Sequence, residues 1–266
     1  MKRNIHQKTI LLSLLASAML LLSCKKVIQL NLKDAGQMLV IEGTVTNLNS
    51  TQSVKLSKSV AITDGSNFPA VSGAAVTITV DGKAYTLKEN YPGMYVTTAL
   101  KGQPTKTYQL KVVSDGQTYT AASTMPSQVK IDSLNLNVTT IVNKDYQSAM
   151  VYYRDPATVS NYYRFILTVN GITSKNYFVY NDELTNGREV NHDLRDNDLN
   201  LLSGDVVNVE MQCIDKNVYQ YWNGLSQNEN RGGASTTPAN PVSNISNGAL
   251  GYFSAHTVQD KQFVVK

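Results

Sequence analysis

Three short turns constrain this chain more than any other feature. Asp81-Gly82, Asp115-Gly116 and Asn170-Gly171 each separate two runs in which apolar and polar residues alternate. Both residues of such a dipeptide tolerate positive φ, which a two-residue hairpin requires. The runs are 74–80 with 83–87, 108–112 with 117–121, and 162–169 with 172–180. Alternation with period two turns one face of each run toward a core and the other toward water. Leu39, Ile41, Gly43 and Val45 alternate in the same way with Val40, Glu42, Thr44 and Thr46. Tyr91-Pro92-Gly93-Met94 carries Pro and Gly where a type II turn needs them.

Seven short strands follow at regular turn spacing within about 85 residues, which predicts an immunoglobulin-like β-sandwich over 37–125. Met125-Pro126-Ser127 punctuates the pattern, and residues 126–266 read as a second β-rich domain. Its strands are expected around 131–136, 150–153, 162–169, 172–180 and 206–214, with the last two at 248–256 and 262–265. One segment breaks the β period. Val218, Tyr221, Trp222 and Leu225 fall at i, i+3, i+4 and i+7, which predicts a short helix near 217–227 with its only Trp on the buried stripe. Asp215 or Asn217 is placed to cap it. The fold class is therefore all-β, with one short helix.

The amino terminus carries a different kind of signal. Lys2, Arg3 and Lys8 precede an uncharged run over 10–22, which ends in Leu21-Leu22-Ser23-Cys24. The run is short for a transmembrane helix and has the layout of a secretory signal. Its ending resembles the bacterial lipobox. That resemblance implies removal of residues 1–23, lipid on Cys24 as the chain's only prosthetic group, and a tether over 24–36. The expected location is the outer membrane, lipid-anchored. Lys25-Lys26 stand where surface-exported lipoproteins carry acidic residues, which favours the periplasmic face.

Loss of the signal changes the composition. The full chain has a formal charge of +4, but residues 1–23 hold Lys2, Arg3 and Lys8 and no acid, leaving 21 basic against 20 acidic side chains. A near-neutral chain lacks the basic surface that nucleic acid requires. With Cys24 lipidated, Cys213 stands alone and no intramolecular disulfide forms. It alternates with Val207, Val209 and Met211 and is expected to be a buried structural thiol.

No Gly-x-Ser-x-Gly, His-Glu-x-x-His or Cys-x-x-Cys occurs. His256 is expected at a strand end, on the surface or an edge. The acidic stretch 191–205 reads as a solvated connecting loop, and its sharper reading is a calcium site on His192, Asp193, Asp196 and Asp198. Asp182-Glu183 and Asp193 to Asp198 are the only paired carboxylates suggestive of a hydrolase. The Gly- and Pro-containing tract 228–246 is a long loop, read either as a linker or as a partner contact. An exposed row among Tyr146, Tyr152, Tyr153, Tyr162 and Tyr163 would favour a glycan or peptide binder.

Several segments in order resemble the Bacteroidota outer-membrane lipoproteins of domain-of-unknown-function family 4249. They are Met38-Leu39-Val40-Ile41-Glu42-Gly43, Val54-Lys55-Leu56-Ser57 and Val71-Ser72-Gly73-Ala74-Ala75-Val76, then Gly93-Met94-Tyr95 and Thr107-Tyr108-Gln109-Leu110. Asn181-Asp182-Glu183-Leu184-Thr185-Asn186-Gly187, Pro241-Val242-Ser243-Asn244-Ile245 and Gly248-Ala249-Leu250-Gly251-Tyr252-Phe253 complete the set. The first domain is also similar to transthyretin-like sandwiches. The resemblance implies a non-catalytic accessory of a TonB-dependent outer-membrane transporter and supplies no catalytic residues. A direct glycan or peptide binder is the alternative, and a hydrolase ranks third.

Overall fold

The computed structural model describes residues 37–60, 67–229 and 240–266. Cys24 and the tether over 24–36 lie outside the described residues. Among the described residues, fifteen strands and one helix follow in order. The strands are β1 (Leu39–Thr46), β2 (Gln52–Lys58), β3 (Ala75–Val80), β4 (Lys83–Tyr91), β5 (Met94–Thr97), β6 (Thr107–Ser114) and β7 (Gln117–Thr124). Then come β8 (Ile131–Ile141), β9 (Lys144–Arg154), β10 (Tyr162–Val169), β11 (Ile172–Thr173), β12 (Phe178–Asn181), β13 (Glu189–Leu194) and β14 (Val206–Ile214). Helix α1 (Lys216–Glu229) precedes the last strand, β15 (Leu250–Val264).

All three predicted two-residue turns form, joining β3 to β4, β6 to β7 and β10 to β11. Asp81, Asp115 and Asn170 each sit at φ +49°, followed by a glycine that also has positive φ. The return run after Asn170-Gly171 is interrupted: β11 and β12 both pair with β10, with residues 174–177 between them. At the Pro92-Gly93 turn, Gly93 has φ +76°, and an added Cβ would meet Leu56 O at 2.5 Å. Its own carbonyl accepts from Leu56 N–H at 2.7 Å, so the turn is seated directly on β2.

Twelve strands share one sheet, eleven in a continuous hydrogen-bonded path with β12 paired to β10 off it, and β13-β9-β8 form a separate sheet. The path bends at β4, whose first half pairs with β3 and whose second half pairs with β5. The first core is consequently sandwich-like. Ile41, Val54, Leu56 and Tyr95 from β1, β2 and β5 meet Val76, Ile78, Tyr108, Leu110 and Val112 from β3 and β6. In the second core, Ala149, Val151 and Tyr153 of β9 with Val190 and Leu194 of β13 face Tyr163, Phe165 and Leu167 of β10 and Val207, Val209, Met211 and Cys213 of β14.

The carboxy-terminal strand departs from expectation. Segments 248–256 and 262–265, expected as two strands, are one continuous strand of 15 residues. Its first half pairs in parallel with β1, from Leu250 opposite Val40 to His256 opposite Thr46. Its second half pairs antiparallel with β14, from Thr257 opposite Cys213 to Val264 opposite Val206. Side chains complete the ladder where the neighbour changes: Phe253 N–H donates to Asn244 Oδ1 at 2.9 Å, Ala255 N–H to Ser123 Oγ at 2.8 Å and Val258 N–H to Asn47 Oδ1 at 2.8 Å. Ile245, Ala249, Phe253 and Ala255 thereby belong to the first core, so residues 126–266 are not all in the second.

Helix α1 packs on the opposite face of the β10–β14 sheet through Val218 and Trp222, against Ile214, Tyr162 and Tyr252. Asp215 is its cap: Oδ1 accepts Val218 N–H at 3.0 Å, and Oδ2 accepts the Ser123 hydroxyl. No helix among the described residues is long and apolar enough to cross a membrane.

Candidate functional site

The residues that sequence reasoning singled out are dispersed. Asn191 to Asp193, expected in a loop, lie in β13, because Val190 and Leu194 alternate into the second core and draw the segment into the sheet. Asp193 Oδ2 accepts from Asn137 Nδ2 at 3.0 Å. Asp196 accepts the Ser174 hydroxyl at 2.6 Å and Asp198 N–H at 2.8 Å. Among the described residues no three His, Cys, Asp or Glu side chains are grouped to hold a metal ion. His192 instead stacks on Tyr180, with ring centroids 3.5 Å apart, and its Nε2 hydrogen-bonds Tyr153 Oη at 3.1 Å. Burial holds its pKa down at about 4.

Cys213 is buried and accepts Val129 N–H at 3.3 Å, and burial pushes its thiol up. Tyr153 and Tyr163 are core residues, and Tyr146, Tyr152 and Tyr162 are half-buried, so the five tyrosines form no exposed row. Asp155, buried beneath them, accepts the Tyr163 hydroxyl and Gly187 N–H. Of the tract 228–246, residues 230–239 lie outside the described residues. Residues 244–247 lie along the edge of β7, where Ser246 N–H donates to Thr120 O at 2.8 Å.

His256 requires a correction. It lies mid-strand and only 4% exposed, because β15 continues past it and is paired with β1 at that point. It is one wall of a pocket that no sequence motif announced. The pocket spans one face of four adjacent strands, in the order β1-β15-β14-β10. Register alone sets the row: Thr46 is opposite His256, Val258 is opposite Gln212, and Gln212 is opposite Arg164. Trp222 of α1 and the turn at Leu48 to Thr51 flank it, leaving one side open. Its volume is about 270 Å³.

Arg164 is the principal group. Its Cζ lies 3.7 Å from the Trp222 ring centroid. Trp222 in turn packs on Tyr252, Tyr221 and Tyr177 at centroid distances of 4.9, 5.3 and 5.4 Å. A planar guanidinium lying on an indole keeps its N–H groups in plane and directed at the rim. Nη1–H donates to Gln212 Oε1 at 3.1 Å, and Gln212 Nε2–H donates to Glu210 Oε1 at 2.5 Å. Glu210 is opposite Ile166, two residues along β10 from Arg164 and on the same face. Among the described residues no carboxylate stands within ion-pair distance of the guanidinium. Burial lowers the pKa of Arg164, against the opposing effects of Tyr252 and Glu210, and raises that of Glu210.

The remaining wall is polar and incompletely satisfied. His256 Nδ1 hydrogen-bonds Ser254 Oγ at 2.8 Å, and burial followed by the Arg164 charge lowers its pKa to about 4, so the ring is neutral. Thr46 Oγ1 is buried with no hydrogen-bond partner. Such a group costs about 1–3 kcal/mol when left unpaired.

A larger cleft of about 730 Å³ lies over the outer face of β6 and β7, beside the start of α1. Within it, Asn244 bonds both backbone groups of Phe253, and Ser246 Oγ bonds Thr120. The smaller pocket is the stronger candidate, because Arg164 there faces no carboxylate within ion-pair distance among the described residues and Thr46 Oγ1 lacks a partner.

The alternation of β10 placed Arg164 with Tyr162 and Ile166, and that of β14 placed Glu210 with Gln212. A charge on the same phase of two apolar strands was the available signal. Which strands were neighbours was not. No curated protein matches this chain. Residues 25–262 match the domain of unknown function DUF4249, and the chain belongs to that family.

Proposed function

We propose that this protein is a lipid-anchored envelope lipoprotein that works by binding rather than catalysis, as an accessory of a TonB-dependent outer-membrane transporter. The observation that carries the reading is how the chain uses its reactive side chains. Cys213, His192 and Asp155 serve as packing and hydrogen-bonding groups inside the second core. The lipobox-like ending at Cys24 supports attachment to a membrane.

The expected result of isolating tagged lipoprotein from detergent-solubilised outer membrane is co-purification of an identified TonB-dependent transporter. Reproducible isolation without any transporter would count against docking. Changing Cys24→Ala should abolish incorporation of labelled fatty acid and release the protein from the membrane. Retention of label would overturn the anchor assignment.

A second reading, direct ligand binding, is favoured by the Arg164 pocket. Its incompletely paired polar wall and aromatic lining suit a small organic molecule.

A further inference from the structure

We infer that the pocket between β1, β15, β14 and β10 binds a small organic carboxylate, with Arg164 as the group that takes the charge. The inference rests on the ligand-binding reading above and assigns its chemical class.

Three observations converge on an anion. The first is the cation itself: Arg164 lies on Trp222, bonds the neutral amide of Gln212 and has no carboxylate within ion-pair distance among the described residues. Partly buried charges are usually paired, since desolvation without a partner is costly. Glu210 is near enough to temper the charge, yet it is held by Gln212 instead. The second is the polar wall. Thr46 Oγ1 has no partner, and His256 Nδ1 hydrogen-bonds Ser254 Oγ. A hydroxyl can donate to an anion, and so can imidazole Nε2 when Nδ1 accepts from Ser254. The third is shape. Trp222, Tyr252 and Val258 form an apolar wall beside the guanidinium, which fits an organic body more than a bare inorganic anion. At about 30 Å³ per water, 270 Å³ corresponds to roughly nine water-sized groups, the size of a small carboxylic acid.

Trp222 is the chain's only tryptophan, so its emission reports on the site directly. Full-length lipoprotein in detergent is titrated with benzoate, with benzamide as the uncharged isostere and with inorganic phosphate. The expected result is a saturable change in Trp222 emission with benzoate, at least about tenfold weaker for benzamide and phosphate. Arg164→Gln should remove the benzoate response while near-ultraviolet circular dichroism is retained. Thr46→Val is the safer second variant. It deletes an unpartnered hydroxyl, so thermal stability is kept or raised while benzoate affinity falls several-fold. Equal saturation by benzamide, tighter saturation by phosphate, or benzoate binding unchanged in both variants overturns the carboxylate assignment. Saturation by benzamide alone would leave a ligand pocket with the wrong class assigned. No saturable response to any of the three probes overturns the pocket reading as well, and leaves docking to be judged by isolation of the transporter.

Discussion

Two histidines set the acid sensitivity of this protein. His256 and His192 have pKa values lowered to about 4 by burial, against 6.5 for an ordinary imidazole. Between those values the unfolded chain takes up protons that the folded chain refuses, so stability is untouched above pH ~6.5 and falls as pH drops toward 4. For fully buried His256 the loss reaches about 3 kcal/mol. The half-buried His192 contributes less. Urea unfolding at neutral pH and near pH 4.5 should show a smaller acid loss for His256→Gln than for the unaltered protein. Equal losses would show that His256 is not a titrating penalty. His256 is also where residue-level reading failed most clearly. Ser254-Ala255-His256 reads as a strand end, because nothing local reveals that two different neighbours extend the strand on either side of it. Cys213 was legible, because strict alternation with Val207, Val209 and Met211 fixes its face wherever β14 lies.

At the scale of elements, β15 depends on one backbone conformation. Gly251 has φ +92°, and a Cβ there would meet Ile41 O at 2.1 Å. The obstruction is backbone in the parallel ladder and cannot rotate away. Gly251→Ala should therefore destabilise by about 3 kcal/mol or more, or prevent folding. A chemical denaturation midpoint within error of the unaltered protein would contradict the pairing of β1 with β15. Gly82, in an open hairpin turn, has nothing near its would-be Cβ and is the control. Strands and hairpins were largely readable from sequence, because alternation and Asp-Gly or Asn-Gly turns are local properties. The helix was readable as well, with Asp215 as one of two candidate caps, between which the structure decides. Strand β13 was missed because its Asn, His and Asp residues resemble loop composition, while Val190 and Leu194 alone carry the alternation.

On the scale of the whole molecule, the two cores share one strand. The first half of β15 completes the sheet of the first core, and the second half completes that of the second. Ser123 ties them further, taking Ala255 N–H and donating to the helix cap Asp215. Both cores should then unfold in one cooperative transition. Trp222 emission reports the helix layer and far-ultraviolet circular dichroism reports all strands, and the two should trace coincident urea curves. Two separated transitions would show that the cores are independent.

Local chemistry was enough to determine an all-β chain, its hairpin turns, one amphipathic helix and the inward face of most strands, since each depends on residues within a few positions of one another. The Arg164 pocket was decided only by tertiary structure. Thr46, Arg164, Gln212, Trp222 and His256 come from four strands' worth of pairing and a helix. Their meeting depends on β15 exchanging β1 for β14 as its neighbour at His256 and Thr257. That exchange is a long-range choice of register, and alternation, which looks the same in every strand, carries no record of which strand lies beside it.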